Sequence, residues 1–382
     1  MMYPPNHPAS WPASWPAPWP APWPAPDAAG AGFDPTRLAE ATDHAAQHET
    51  AWARDLVAHI TAANTQAGEG EFAAPRGPVR PRGPCSGVVL RDGRLAATWG
   101  TPDRADTTFS VAKSYLATLV GFAIADGLIG GLDEPIRVTV DDGGFDPPDN
   151  HAITWRHMLT MTSEWRGHLW GIPDSIDWNR VVGRDASSWP MKGSPREIFK
   201  PGVYYEYNDV RVNRLALALL RVFRRPLPEV LRHRVMDPIG TTRAWEWHGY
   251  DNAWVTIDGQ RMASVTGGSH WGGGMMISAF DQARFGLLHL NDGVWNGTRI
   301  LPEGWVRQAS TPSAVEPGYG LLWWLNTGRK WQPSVPESCF WATGDGGNLV
   351  WIAPEARVVV VTRWLDRAHQ DTFLARVLAA CV

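Results

Sequence analysis

Residues 107–127 read TTFSVAKSYLATLVGFAIADG, and the fold of this 382-residue chain turns on them. Apolar residues occupy nearly every side of the helix that this stretch predicts, so the helix is buried, and Gly127 marks its end. Between Asp106 and Asp126 the only charged residue is Lys113. An unpaired ammonium in a core is strongly destabilising unless it finds a partner or loses its proton. Ser110 supplies a reason for it. Residues three apart share a helix face, so the Ser110 hydroxyl and the Lys113 amine meet at the first turn, where the helix N-terminus also favours developing negative charge. Only four of the 35 basic residues are lysine, namely Lys113, Lys192, Lys200 and Lys330. A guanidinium cannot release its proton whereas a desolvated lysine can, so Lys113 reads as chosen for titration. The bland alternative is an N-cap serine followed by a snorkelling lysine.

Upstream of this helix, SGVVLRDGRLAATWG holds two β-rich runs around Asp92-Gly93, the signature of a tight hairpin. Near the other end, NLVWIAPEARVVVVTRW repeats that logic, with Val358 to Val361 as a strand buried on both faces and a closing helix over roughly 366–380. From Phe33 to about Ala63 the spacing of Leu38, Ala45, Trp52, Leu56 and Ile60 predicts a helix, with Pro35 at its start. The span of about 115–295 reads as mostly helical, without internal repeats. Sheet segments at both ends with helices between them imply an α+β sandwich with an inserted helical subdomain. The sheet part takes in about 31–114 and 296–382, and the helical part about 115–295. Residues 1–30 stand apart as a Pro/Trp/Ala-rich tail, with proline at nearly every second position, expected to be extended and outside any packed core.

Composition narrows the function. Hydrophobic residues make up 44%, charged residues 19%, and the formal net charge is -4, so a globular body is expected without the basic surface that a phosphate backbone needs. Nucleic acid is therefore not an expected partner. Cys85, Cys339 and Cys381 form no CxxC pair and are read as free thiols; a Cys85–Cys339 bridge would require their strands to be neighbours. No run reaches the length of a membrane span and no leader pattern opens the chain, which predicts a cytoplasmic protein. No GxSxG elbow, HExxH, Walker loop or GxGxxG follows from the sequence, and neither cofactor nor metal is expected. His44 and His48 lie four apart on the first helix, but with no third ligand in view they read as solvated surface.

Three more blocks accompany Ser110-x-x-Lys113: ITWRHMLTMTSE from Ile153 to Glu164, PGVYYEYND from Pro201 to Asp209, and GGGMMISAFDQARFGLLHLNDGVWNGTRILPEGWV from Gly272 to Val306. In order and kind these resemble the serine hydrolases of the β-lactamase and penicillin-binding-protein superfamily. The similarity is strongest to the class C β-lactamase-like branch, with its esterases, D-aminopeptidases and 6-aminohexanoate-dimer hydrolase, and covers about 85–382. The resemblance implies an antiparallel sheet flanked by helices, Ser110 as the acylated nucleophile, and Lys113 and Tyr207 sharing its proton. The chain departs from the pattern twice. Asp209 stands where the family has the Asn of Tyr-x-Asn, which replaces a donor by an acceptor and, beside Lys113, favours the protonated lysine. Tyr207 then becomes the preferred base. Asp209 could equally serve as the cap of the helix DVRVNRLALALLRVF.

The second departure is in ATGDGGN at 342–348, aligned so that Asp345 takes the place of the family's Lys or His. Asp345, Gly346, Gly347 and Asn348 are the implied substrate-binding residues, with the backbone N–H groups of Ser110 and Asn348 as the oxyanion hole. An anion at Asp345 would repel the carboxylate of penicillins, cephalosporins or D-Ala-D-Ala peptides, so a neutral ester or small amide is the expected substrate. The rival readings are a β-lactamase or carboxypeptidase activity, and a non-catalytic binding module on the same fold. Met161 and Glu164, at family His and Gly positions, read as loop variation. Tyr205, Trp170, Trp323, Trp324 and Trp341 are candidate cleft aromatics or core filling.

Overall fold

The computed structural model describes residues 23–180, 182, 190–268 and 270–382. Most of the N-terminal tail, residues 1–22, lies outside the described residues. From Trp23 the chain is already packed: Trp23 stacks on Phe280 at 6.5 Å between ring centroids, and Asp27 N–H donates to Leu95 O at 2.9 Å. The tail therefore ends earlier than residue 30.

Helices α1 (Pro35–Gln47) and α2 (Leu56–Gln66) replace the single N-terminal helix expected from the spacing. The break has a local cause. Glu49 makes an antiparallel bridge with Leu365, Thr50 N–H donates to Trp364 O at 2.8 Å, and Asp55 caps α2 by accepting from Val57 and Ala58. The central sheet is built from β1 (Ser86–Arg91) and β2 (Arg94–Trp99) together with four C-terminal strands, β3 (Trp324–Leu325), β4 (Phe340–Gly344), β5 (Asn348–Ala353) and β6 (Val358–Arg363). Their order is β3-β4-β5-β6-β1-β2 and every pairing is antiparallel, with Val88 opposite Val361 where the two ends of the chain meet. Asp92 and Gly93 turn the β1–β2 hairpin, both with positive φ (48° and 76°). β5 and β6 separate β1 from β4, so Cys85 and Cys339 are not neighbours, and both are free.

Two helical layers explain why β5 and β6 are buried along their whole length. Val350 and Val359 share one face, and there α5 (Ala279–Leu290) lies so close that a Cβ on Gly286 would sit 2.7 Å from Val359. Gly87 and Trp99 share the other face, where Trp99 meets Phe373 of α6 (Gln370–Ala379) edge-on at 5.5 Å; α1 packs on α6. Because α5 belongs to this sheet, the sheet layer resumes at 279 and not at 296. In between, α3 (Ala112–Ala125) and α4 (Asp209–Phe223) pack side by side, and α3 is buried from Ala112 to Ala123. The rest of the middle is less helical than expected. It consists of long loops, short helices and a small sheet in which Gly274–Ile277 pairs with Asp106–Thr107 and with Glu246–His248. Among the described residues no helix is long and apolar enough to cross a membrane.

Candidate active site

Ser110 sits in a single tight turn, Phe109–Val111, that feeds into α3. The turn is held under strain: Phe109 adopts φ 48°, the left-handed region that an aromatic residue avoids. Its ring is pinned edge-on between Trp52 (5.6 Å) and Trp364 (6.2 Å). Gly344, the last residue of β4, presses on the turn from the other side. A Cβ there would fall 2.0 Å from Thr108 O and 3.0 Å from Ser110 N, so only glycine allows the strand to approach this closely.

Lys113 is 1% exposed, and its ammonium donates to Ser110 Oγ at 2.7 Å and to Gly267 O at 3.2 Å. The same nitrogen lies 2.8 Å from Asp209 Oδ1 and 5.0 Å from the centre of the Tyr207 ring. Burial alone would lower the Lys113 pKa, but the Asp209 carboxylate overrides it and holds the amine above its ordinary value. Tyr207 is stacked on Trp324 at 6.0 Å and carries a second cation, Arg180, 5.4 Å from its centroid.

Asp209 does not cap α4. That role falls to Asn208, whose Oδ1 accepts from Arg211 N at 3.1 Å. The Asp209 carboxylate, wholly buried, faces Arg180 at 2.7 Å and His270 Nδ1 at 2.9 Å as well as Lys113. Burial would raise its pKa; Arg180 and Lys113, together with His270, hold it well below the usual carboxylate range. A further ring of charge surrounds these contacts. His270 Nε2 reaches Glu69 at 2.8 Å, Trp271 Nε1 donates to the same carboxylate at 2.7 Å, and Asp177 accepts the Asp209 backbone N–H at 2.8 Å. Lys192 pairs with Glu69 and lies 3.1 Å from Asp177. With both ring nitrogens on carboxylates, His270 is held above its ordinary pKa despite burial and Arg180 opposing the charge. Lys113, Arg180, Lys192 and His270 thus interleave with Asp209, Asp177 and Glu69, and Lys113 and Arg180 lie over the Tyr207 ring.

A cleft of about 470 Å³ opens onto Ser110 and Tyr207, walled by Trp324, Trp331 and Trp341. Asp345 also lines it, but not as a lone anion: Arg367 lies 3.1 Å from its carboxylate, and Arg180 and Asp371 lie on the same cleft. Gly346, Gly347 and Asn348 lie behind this surface. Gly346 packs on Trp364, Gly347 on Leu365 O, and the buried Asn348 side chain donates to Asp345 O at 2.6 Å. Of the candidate aromatics, Trp324 and Trp341 reach the cleft, Trp323 is core against Phe285 and Phe340, and Trp170 and Tyr205 lie off the cleft. Glu164 is not loop variation. It is buried at φ 51°, a conformation that suits the glycine expected there, and is gripped by the two terminal nitrogens of Arg196 at 2.6 and 2.7 Å and by Arg211 at 3.0 Å.

Arg180, His270, Glu69 and Asp177 are absent from the sequence reading. Only Lys192, as one of four lysines, carried a hint of special use.

The family model described as Beta-lactamase matches residues 86–373. The 6-aminohexanoate-dimer hydrolase of Paenarthrobacter ureafaciens is 28% identical over 320 residues, covering 73% of this chain and 72% of that protein. Two solved structures share the fold at low identity. The hydrolase EstCE1, described as having promiscuous acyltransferase activity, superposes with a TM-score of 0.57 at 17% identity over 91% of this chain and 99% of its own. A penicillin-binding protein homologue from Caulobacter crescentus gives a TM-score of 0.55 at 15% identity, over 87% and 99%.

Proposed function

The chain belongs to the Beta-lactamase family, and from that premise we propose that it is a serine hydrolase that forms an acyl-enzyme on Ser110 with a neutral ester or small amide. One observation carries this reading: the buried Lys113 ammonium touches both Ser110 Oγ (2.7 Å) and Asp209 Oδ1 (2.8 Å). A lysine anchored to a carboxylate keeps its proton and cannot accept another. Tyr207, acting as the phenolate, is therefore the base: Ser110 Oγ attacks the acyl carbon and the hydroxyl proton passes to the phenolate oxygen, with the Lys113 and Arg180 cations over the Tyr207 ring, 5.0 and 5.4 Å from its centroid, favouring the anion before the proton arrives. Tyr207 returns the proton to the leaving alcohol or amine. Water then attacks the acyl-serine by the same path in reverse.

The glycine that abuts Ser110 is Gly344, so we read the third family motif as Ala342-Thr343-Gly344. A buried methyl group then stands where many relatives have a cation, and the second oxyanion donor becomes the backbone N–H of Asp345 instead of Asn348. Both arginines that line the cleft among the described residues are paired with carboxylates, Arg367 with Asp345 and Arg180 with Asp209, which fits an uncharged acyl substrate beside the three tryptophans.

The test is hydrolysis of short-chain p-nitrophenyl esters by the wild type and Ser110→Ala, with intact mass after a covalent serine probe. Turnover and labelling that both vanish in the variant are expected. Equal turnover in the two proteins would defeat the assignment. Acylation by a penicillin as fast as by a neutral ester would overturn the substrate class.

A further inference from the structure

The fold completes a cluster that the sequence leaves one ligand short. His44 lies in the last turn of α1 and His48 caps its C-terminus, while His369 closes the turn Arg367–His369 that leads into α6. The two segments are tied by their backbones, with Asp366 N–H donating to His48 O at 2.9 Å and Glu49 bridging Leu365. The ring centroids of His48 and His369 are 3.6 Å apart, and those of His44 lie 4.2 and 5.4 Å from them. A ligating nitrogen from each lies within 4.8 Å of the other two. We propose that His44, His48 and His369 form a site for one divalent first-row transition metal ion, with zinc as its type, at the surface beside the cleft.

Three features of the cluster fit a metal. The Nδ1 of His48 lies 2.7 Å from His44 O, which fixes the proton on Nδ1 and leaves the Nε2 lone pair free for a ligand. The Nε2 of His44 is buried with no hydrogen-bond partner. The donor set also selects the ion. Glu49 is engaged by Arg82 and the Cys85 N–H, and Asp366 by the Ala368 N–H, so the site offers imidazole nitrogen and no carboxylate. Such a set suits zinc, cobalt, nickel or copper and does not suit calcium or magnesium. Metal–nitrogen bonds of about 2.0–2.1 Å require the nitrogens to close in from their present separation, which rotation of half-exposed rings provides. A second trio, Glu69, Asp177 and His270, is as compact but already holds the Lys192 ammonium.

The location gives the ion a consequence. His369 shares its turn with Arg367 and adjoins Gln370 and Asp371, all of which line the cleft. A bound ion would fasten α1 to that wall.

The untagged full chain, stripped with a chelator, is titrated with Zn²⁺ by calorimetry and with Co²⁺ by its visible d–d absorption. One ion per chain is expected, with cobalt bands of a nitrogen-rich site and a rise in Tm on adding zinc. His48→Ala and His369→Ala should each weaken zinc binding by at least about tenfold, the loss typical of removing even a group that only orients a ligand. His151→Ala, at an exposed position elsewhere, should bind as the wild type. Matching circular dichroism of the metal-free proteins shows that the variants fold. Absence of single-site binding, or binding unchanged in the His48→Ala/His369→Ala double variant, overturns the proposal.

Discussion

Two aspartates of the candidate site, Asp209 and Asp345, end in opposite surroundings. Asp209 is fully buried and faces Lys113, Arg180 and His270 at 2.7 to 2.9 Å. Asp345 has a side chain 37% exposed and faces one, Arg367, which is 54% exposed. The same carboxylate group therefore has different physical weight in the two places. In a dry interior an unpaired charge is so unfavourable that the surrounding residues must answer it, and Arg180, His270, Glu69, Asp177 and Lys192 form that answer. On a wet cleft wall the solvent answers most of it, and one arginine suffices.

Removing the buried member should have the largest effect. Asp209→Ala leaves Lys113, Arg180 and His270 facing one another, and a stability loss of about 3–5 kcal/mol is expected in urea unfolding, with activity lost as well. Asp209→Asn restores the amide of the relatives and should recover part of the stability. A loss under about 1 kcal/mol for Asp209→Ala would show that the network does not depend on this carboxylate.

The glycines on either side of Asp345 probe the two regions separately. Gly344→Ala pushes a methyl onto Thr108 O and the Ser110 turn, and should lower kcat by roughly tenfold or more while the chain still folds. Gly347→Ala, at φ 82° with its Cβ 1.6 Å from Leu365 O, should instead act mainly on stability, by about 1–3 kcal/mol. Kinetics and melting of the two variants side by side decide whether Gly344 or Gly347 belongs to the third motif.

The buried network should also write itself into the pH dependence of Tm. The folded pKa of His270 lies above its unfolded value of about 6.5, so its contribution is complete below that pH and fades as pH rises through the folded value. Asp209 acts in the other direction. Its folded pKa lies well below about 3.8, so its contribution persists above that value and fades only in strong acid. His270→Gln should flatten the alkaline decline and leave the acid limb in place. An unchanged alkaline limb would mean that His270 is neutral in the folded protein.

What could be read from the sequence follows local pattern. The Ser110–Lys113 turn, the Asp92-Gly93 hairpin and the Val358–Val361 strand announce themselves by spacing and composition within a few residues. Asp209 was visible as an oddity beside Lys113, but its other partners come from positions 177, 180 and 270, with 69 and 192 behind them, and no periodicity links residues that only the folded loops bring together. His369 lies 321 residues beyond His48 and escapes notice for the same reason. The glycine run misled in another way. Gly344, Gly346 and Gly347 are equivalent as letters, and only the packing of β4 on Ser110 tells which one meets the nucleophile.

The smallest effect is expected at Asp345, and it tests the comparison most directly. Its ion pair with Arg367 joins two solvent-exposed side chains, so Asp345→Asn should change stability by no more than about 0.5 kcal/mol. The variant frees the Arg367 guanidinium at the cleft mouth without touching Ser110, Lys113 or Tyr207. For a neutral p-nitrophenyl ester, kcat and KM should then stay close to wild type, while KM for a carboxylate-bearing ester should fall by roughly two- to fivefold, and less at high salt. A stability loss near that of Asp209→Ala would place Asp345 in the same class as the buried aspartate. A KM for the anionic ester that does not move, with stability also unchanged, would mean that substrate charge is read elsewhere on the cleft, with Arg180 the remaining cation among the described residues that line it.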